Sequence, residues 1–262
     1  MMRVCLIGNS HLGCLKLGWD EIATRHSDTK VTFFGTPRRT ILHLRARQHR
    51  LVPTTESVET SFMRTSDGLS VIDPQLYDAF VICGLTVSSV LVMGLACRYT
   101  PDSLSHLSER HLVSDDFFKA ILAEMNQASA GYKTAKRLRR ITDKPILILP
   151  PPMPSEQITL KQPRLTKFQQ DESGTRLATL VQEAVESLDK DVAEFVWQPQ
   201  QTLAHGVFTQ HEFSTNSSRL LTDEKHSDDD AIHMNGEFGA AALTDILGRL
   251  KGLTWVEEAK AS

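Results

Sequence analysis

The chain has 262 residues, 40% of them hydrophobic, with 29 basic and 32 acidic side chains giving a formal net charge of -3. That length and apolar content suffice to bury the core of one large domain, read here as residues 1–262. Charges of both signs are interspersed, which gives no electrostatic reason to expect nucleic acid or an anionic membrane as partner, and no apolar run is long enough to span a bilayer.

The first strand is predicted over Arg3–Ile7, where Val4, Cys5, Leu6 and Ile7 form the short apolar run of a fully covered parallel strand. Gly8 permits the sharp exit that strand needs, and Ser10 follows it. From Leu12 the pattern turns helical, with Leu12, Leu15 and Trp19 on one face. A strand, Gly-x-Ser, helix transition puts a hydroxyl at the carboxyl end of the sheet beside helical N–H groups, where open α/β folds keep their sites. Ser10 as a plain helix cap is the alternative reading.

A second strand, Lys30–Phe34, also ends at a glycine, Gly35. In the next segment Pro37 suits a first helical position, and Arg38 and Arg39 read as solvated surface residues, with carboxylate or phosphate binding as the alternative. The polar stretch Leu51–Asp73 reads as an irregular excursion or a small hairpin at a sheet edge. Asp78–Cys83 is the third strand, closed by Gly84 and followed by Thr86, Ser88 and Ser89 at the same rim.

Ser114 caps a long helix carrying Phe117, Ile121, Leu122 and Met125, with a break expected near Gly131 and a basic end at Lys136–Arg140. Pro145–Leu149 is a fourth strand stopped by Pro150, Pro151 and Pro152. Glu156–Glu172 reads as a loop, Leu177–Leu188 as an amphipathic helix, and Glu194–Trp197 as a short fifth strand. From Pro199 to Asp229 there is no sustained periodicity, and Phe208, His211, Phe213 and Arg219 in that long loop are candidates for lining a substrate. A final helix uses Phe238, Ala242, Leu243, Ile246 and Leu250. Strands alternating with helices five times predict a doubly wound α/β fold: a flavodoxin-like, five-stranded parallel sheet with helices on both faces.

Cys5, Cys14, Cys83 and Cys97 contain no Cys-x-x-Cys pair and read as reduced core residues. With the first strand starting almost at Met1, there is no room for a signal peptide, and the expected location is the cytoplasm.

Acyl transfer through a serine needs a base for the hydroxyl proton and an anion to hold that base in the right tautomer. Asp230 and His233, three residues apart before the last helix, put a carboxylate and an imidazole on the same side of one turn. Asp228–Asp230 as a negatively charged helix start is the alternative, and a metal site using His226, Asp228, Asp229, Asp230 and His233 ranks lowest, because hard cations draw ligands from several loops.

The chain resembles the SGNH/GDSL hydrolase family. Gly8-Asn9-Ser10-His11 is similar to that family's opening block, with asparagine where aspartate is usual. Gly35 is similar to its oxyanion-hole glycine, Leu149-Pro150-Pro151-Pro152 to the end of its fourth strand, and Asp230-Ala231-Ile232-His233 to its closing Asp-x-x-His. The family's Gly-x-Asn-Asp block is replaced by Gly84-Leu85-Thr86-Val87, where Thr86 is shorter than the oxyanion-binding asparagine.

The resemblance implies a serine esterase without metal or cofactor, acting on a small O-acyl ester, O-acetyl above all, of a sugar or metabolite. Ser10 would be the nucleophile, His233 the base, Asp230 its orienter, and the N–H groups of Ser10 and Gly35 the oxyanion hole. An acyltransferase using the same triad and a catalytically degenerate metabolite-binding protein are the alternatives. The acyl group, the alcohol and the oligomeric state are not readable from the sequence.

Overall fold

The segment Met2–Gly8 is apolar on both of its alternating faces, so it is stable only with cover on both sides. Val4 and Leu6 point into one buried cluster while Cys5 and Ile7 point into another, all four fully buried. The computed structural model describes residues 1–261 apart from 109, 110, 221 and 223, with side chains described as far as residue 253. Strand β1 (Met2–Gly8) pairs in parallel with β2 (Thr29–Gly35) on one side and with β3 (Ala79–Cys83) on the other; β4 (Ile146–Leu149) and β5 (Glu194–Phe195) follow. The order is β2-β1-β3-β4-β5, all parallel, which is the doubly wound architecture expected. Strand β5 is two residues long rather than the four predicted.

Helices α1 (Leu12–Ile22) and α7 (Gly236–Ala261) cover one face, packing Leu12, Leu15, Phe238, Leu243 and Leu247 against Val4, Leu6, Val81 and Leu149. On the other face α2 (Glu56–Thr65) and α5 (Ala130–Arg139) pack Val58, Phe62, Tyr132, Ala135 and Leu138 against Ile7, Phe34, Ile82 and Ile148. A third cluster joins α3 (Ser89–Arg98), α4 (Asp115–Gln127) and α6 (Ser173–Glu186) through Met93, Phe118, Leu122, Leu177 and Leu180.

Several local expectations are corrected. The stretch Leu51–Asp73 joins the hairpin in which Arg50–Pro53 pairs with Leu44–Arg47, but it is not otherwise irregular throughout, since Glu56–Thr65 builds α2. Its helical pattern is hidden by hydroxyls that bond back to the preceding turn, Ser61 to the Ser57 carbonyl at 2.8 Å and Thr65 to the Ser61 carbonyl at 2.9 Å. Pro37 opens a turn with Arg38 in the left-handed region (φ 52°), and a short 3₁₀ turn starts only at Thr40. Ser89 opens α3, which Ser88 caps by accepting the Leu91 N–H. The break in the long helix falls before Gly131, where Ser129 caps α5. The Glu156–Glu172 loop contains a helical turn at Ile158–Lys161 and a 3₁₀ segment at Pro163–Gln169.

Two glycines set the closest helix contact. A Cβ on Gly18 of α1 would overlap the backbone of Gly239 and Ala240, and one on Gly239 would overlap the Cys14 backbone. The backbones of α1 and α7 therefore touch, and the residues just before each helix come to the same rim.

Candidate active site

Ser10 lies exposed at the end of β1, in the turn that leads into α1. The turn is tied to the end of β3: the Asn9 amide donates to the Gly84 carbonyl at 2.6 Å, and its Oδ1 accepts the His11 N–H at 3.1 Å. Gly84 sits at φ +72°, where a Cβ would meet Asn9 and the His11 ring, so glycine is required there.

Asp230 and His233 reach the same place from the other end of the chain. Asp230 Oδ1 accepts the N–H groups of Ile232 (2.8 Å) and His233 (2.9 Å), which locks the turn before α7, and Oδ2 accepts from His233 Nδ1 at 2.9 Å. Because a carboxylate only accepts, that nitrogen carries the proton. The other ring nitrogen, Nε2, is then the acceptor facing Ser10 Oγ, at 3.0 Å. Burial opposes ionisation of Asp230, but hydrogen bonds from the His233 ring and from the His233 and Ile232 amides outweigh it, and its carboxyl lies well below the usual carboxylate range. It is therefore an anion throughout the range in which an imidazole titrates. The arrangement can take a proton from a serine hydroxyl and stabilise the resulting imidazolium.

Compared with models of protein families, with curated proteins and with solved structures, the chain matches none of them.

The predicted oxyanion donors fare differently from the three residues above. Gly35 pairs with Gly8 across the sheet, but its N–H is already donated to Thr65 Oγ1 at 2.9 Å, and a Cβ there would run into Leu220. It is a corner of the fold, not a free donor. Thr86 Oγ1 is buried without a partner among the described residues. Thr86 itself lines an apolar cavity with Met93, Val181, Trp197 and Val207. Ser10 N–H has no acceptor among the described residues and is the remaining predicted donor.

Of the loop candidates, Phe208 is fully buried in the third core cluster and cannot line a surface site. Phe213 packs against the α1/α7 cluster. His211 is half-buried in a cleft with Ser217, His226 and Asp228. Arg219 is exposed and pairs with Glu224 at 3.6 Å. Its neighbours Ser218 and Leu220 lie against Gly13 at the start of α1, within the reach of Ser10's turn.

Two histidines crowd the site that the sequence reading gave no catalytic part. His11 is buried, its ring centroid 5.3 Å from that of His233; burial first, and the neighbouring His233 second, push it down to about 3. His226 stacks on His233 with centroids 3.9 Å apart and planes 4° from parallel, and its Nδ1 is 3.4 Å from Asp230 Oδ2. The only sequence signal for either was adjacency, one beside Ser10 and the other four residues before Asp230.

His226, Asp230 and His233 bring ligand-type atoms within 4.8 Å of one another. Imidazole lone pairs lie in the ring plane, and these two planes run side by side. A cation about 2.1 Å from both nitrogens would sit far out of each plane, so the trio is poorly shaped for a metal.

Proposed function

We propose that this protein is a serine esterase of the SGNH/GDSL type, acting on a small O-acyl ester, O-acetyl in particular, of a sugar or metabolite. The reading is carried by one observation, the continuous chain of hydrogen bonds from Ser10 Oγ to His233 Nε2 and from His233 Nδ1 to Asp230 Oδ2. In the reaction, Ser10 Oγ attacks the ester carbonyl while His233 takes its proton. Collapse of the tetrahedral intermediate breaks the bond to the alcohol, which leaves with that proton. Water, deprotonated by the same imidazole, then attacks the acyl-serine, releasing the acid and restoring Ser10. Asp230 stays ionised and holds the ring. Four free thiols, three of them buried, favour a reducing compartment such as the cytoplasm.

The occupied Gly35 amide favours a second reading, a degenerate relative that binds such esters without turning them over, since loss of one oxyanion donor costs about a hundred- to a thousandfold in turnover. Covalent labelling with a fluorophosphonate separates the two. Labelling of the native protein and none of Ser10→Ala is expected; an unlabelled native protein removes the esterase reading and leaves the binding one.

A further inference from the structure

We propose that His226 is a positioning residue of this site, holding the His233 ring in plane by stacking on it; the role rests on the esterase reading above. The placement is visible in the contacts. Asp230 Oδ2 takes its main hydrogen bond from His233 Nδ1 at 2.9 Å and faces His226 Nδ1 at 3.4 Å. Two imidazoles thus converge on one oxygen, stacked with parallel planes. His226 is itself held in place: its backbone N–H donates to the Ser217 carbonyl at 2.8 Å, beside the bridge between Ser218 and Lys225.

The chemistry of the pair follows from which atoms have partners. With a carboxylate in front of it, His226 Nδ1 carries the proton of the neutral ring, and Nε2 is buried without a partner among the described residues. A second proton would go to that buried nitrogen, where nothing accepts it, and would put a cation against the face of the ring that becomes imidazolium during acyl transfer. Burial first, and the neighbouring His233 second, therefore disfavour a positive charge on His226. The groups facing His226 act in both directions. Asp230 attracts a proton to it; His233 and Arg219 oppose one. His211, Lys225 and Asp228 line the same cleft.

One consequence follows. The flat contact blocks tilting of His233 and keeps Nε2 aimed at Ser10, which matters for the chemical step and little for substrate binding.

The test is kcat and KM, measured separately, for p-nitrophenyl acetate with native, His226→Phe and His226→Ala proteins. Rates are normalised to the fluorophosphonate-labelled fraction so that loss of folded protein cancels. Phe keeps the stacked ring and should keep kcat near the native value. Ala removes that ring, and should lower kcat about tenfold at pH 8 with KM nearly unchanged. An Ala variant whose normalised kcat equals the native one, or a Phe variant that loses as much as Ala, would overturn the proposal while leaving the esterase reading intact. A native protein that neither labels nor turns over ester overturns both.

Discussion

At the residue scale the site depends on who donates to Asp230. Replacing the carboxylate with an amide, Asp230→Asn, leaves the shape but supplies a donor where an acceptor is needed, so His233 loses the tautomer that faces Ser10. A fall of about four orders of magnitude in kcat is expected, with KM nearly unchanged, in steady-state assays of a short-chain aryl ester. Asp230 does not set the acid limit of activity: its carboxyl lies below the ordinary value, so its stabilising contribution is present at neutral pH and is lost only as pH falls far into the acid range. His11 behaves in the opposite sense. Its folded-state value is pushed from 6.5 down to about 3, chiefly by burial, so the unfolded chain binds that proton first and stability falls as pH drops below 6.5, by at most about 1.4 kcal/mol per pH unit from this group. Urea unfolding at pH 7 and pH 5 should show a smaller difference in His11→Gln than in the native protein. An equal difference in the two would remove His11 as the source.

At the element scale the decisive contact is α1 against α7, since Ser10 precedes one helix and His233 the other. Gly239→Ala would force a methyl group into the Cys14 backbone, so the helices must part. Destabilisation of about 1–3 kcal/mol or more is expected. Fluorophosphonate labelling of the fraction still folded should also slow, because the hydroxyl and the imidazole separate with the helices. The α2 helix offers a contrast. Thr65 caps the end of β2 by accepting the Gly35 N–H, and Thr65→Val would leave that buried amide unpaired at a cost of about 1–3 kcal/mol in thermal or urea unfolding. This helix was not legible in the sequence, because Ser61 and Thr65 read as loop composition when their hydroxyls are in fact satisfied inside the helix. The strands were legible for the converse reason: Val4–Ile7, Ala79–Cys83 and Ile146–Leu149 are apolar on both faces and short, and a covered parallel strand is the structure that uses such a run.

At the scale of the whole molecule, groups 223 positions apart along the chain meet within a hydrogen bond. Such a site has no local fragment that could retain it. Loss of aryl-ester hydrolysis in urea should therefore coincide with loss of tryptophan fluorescence and of helical circular dichroism; earlier loss of activity would show that the α1/α7 contact opens before the sheet does.

Read alone, the sequence determined the parallel sheet, its glycine-ended loops and the Asp-x-x-His turn, because hydrophobic period and turn chemistry are local properties. It also pointed to Ser10, Asp230 and His233, which tertiary structure then brought together. What only the fold decided was which polar groups are already spent and which side chains are covered. Gly35 gives its N–H to a hydroxyl thirty residues away, Phe208 disappears into the third cluster, and His226 arrives flat against His233. Hydrogen-bond partners and burial depend on segments distant in the chain, and no spacing rule along one strand or helix contains them.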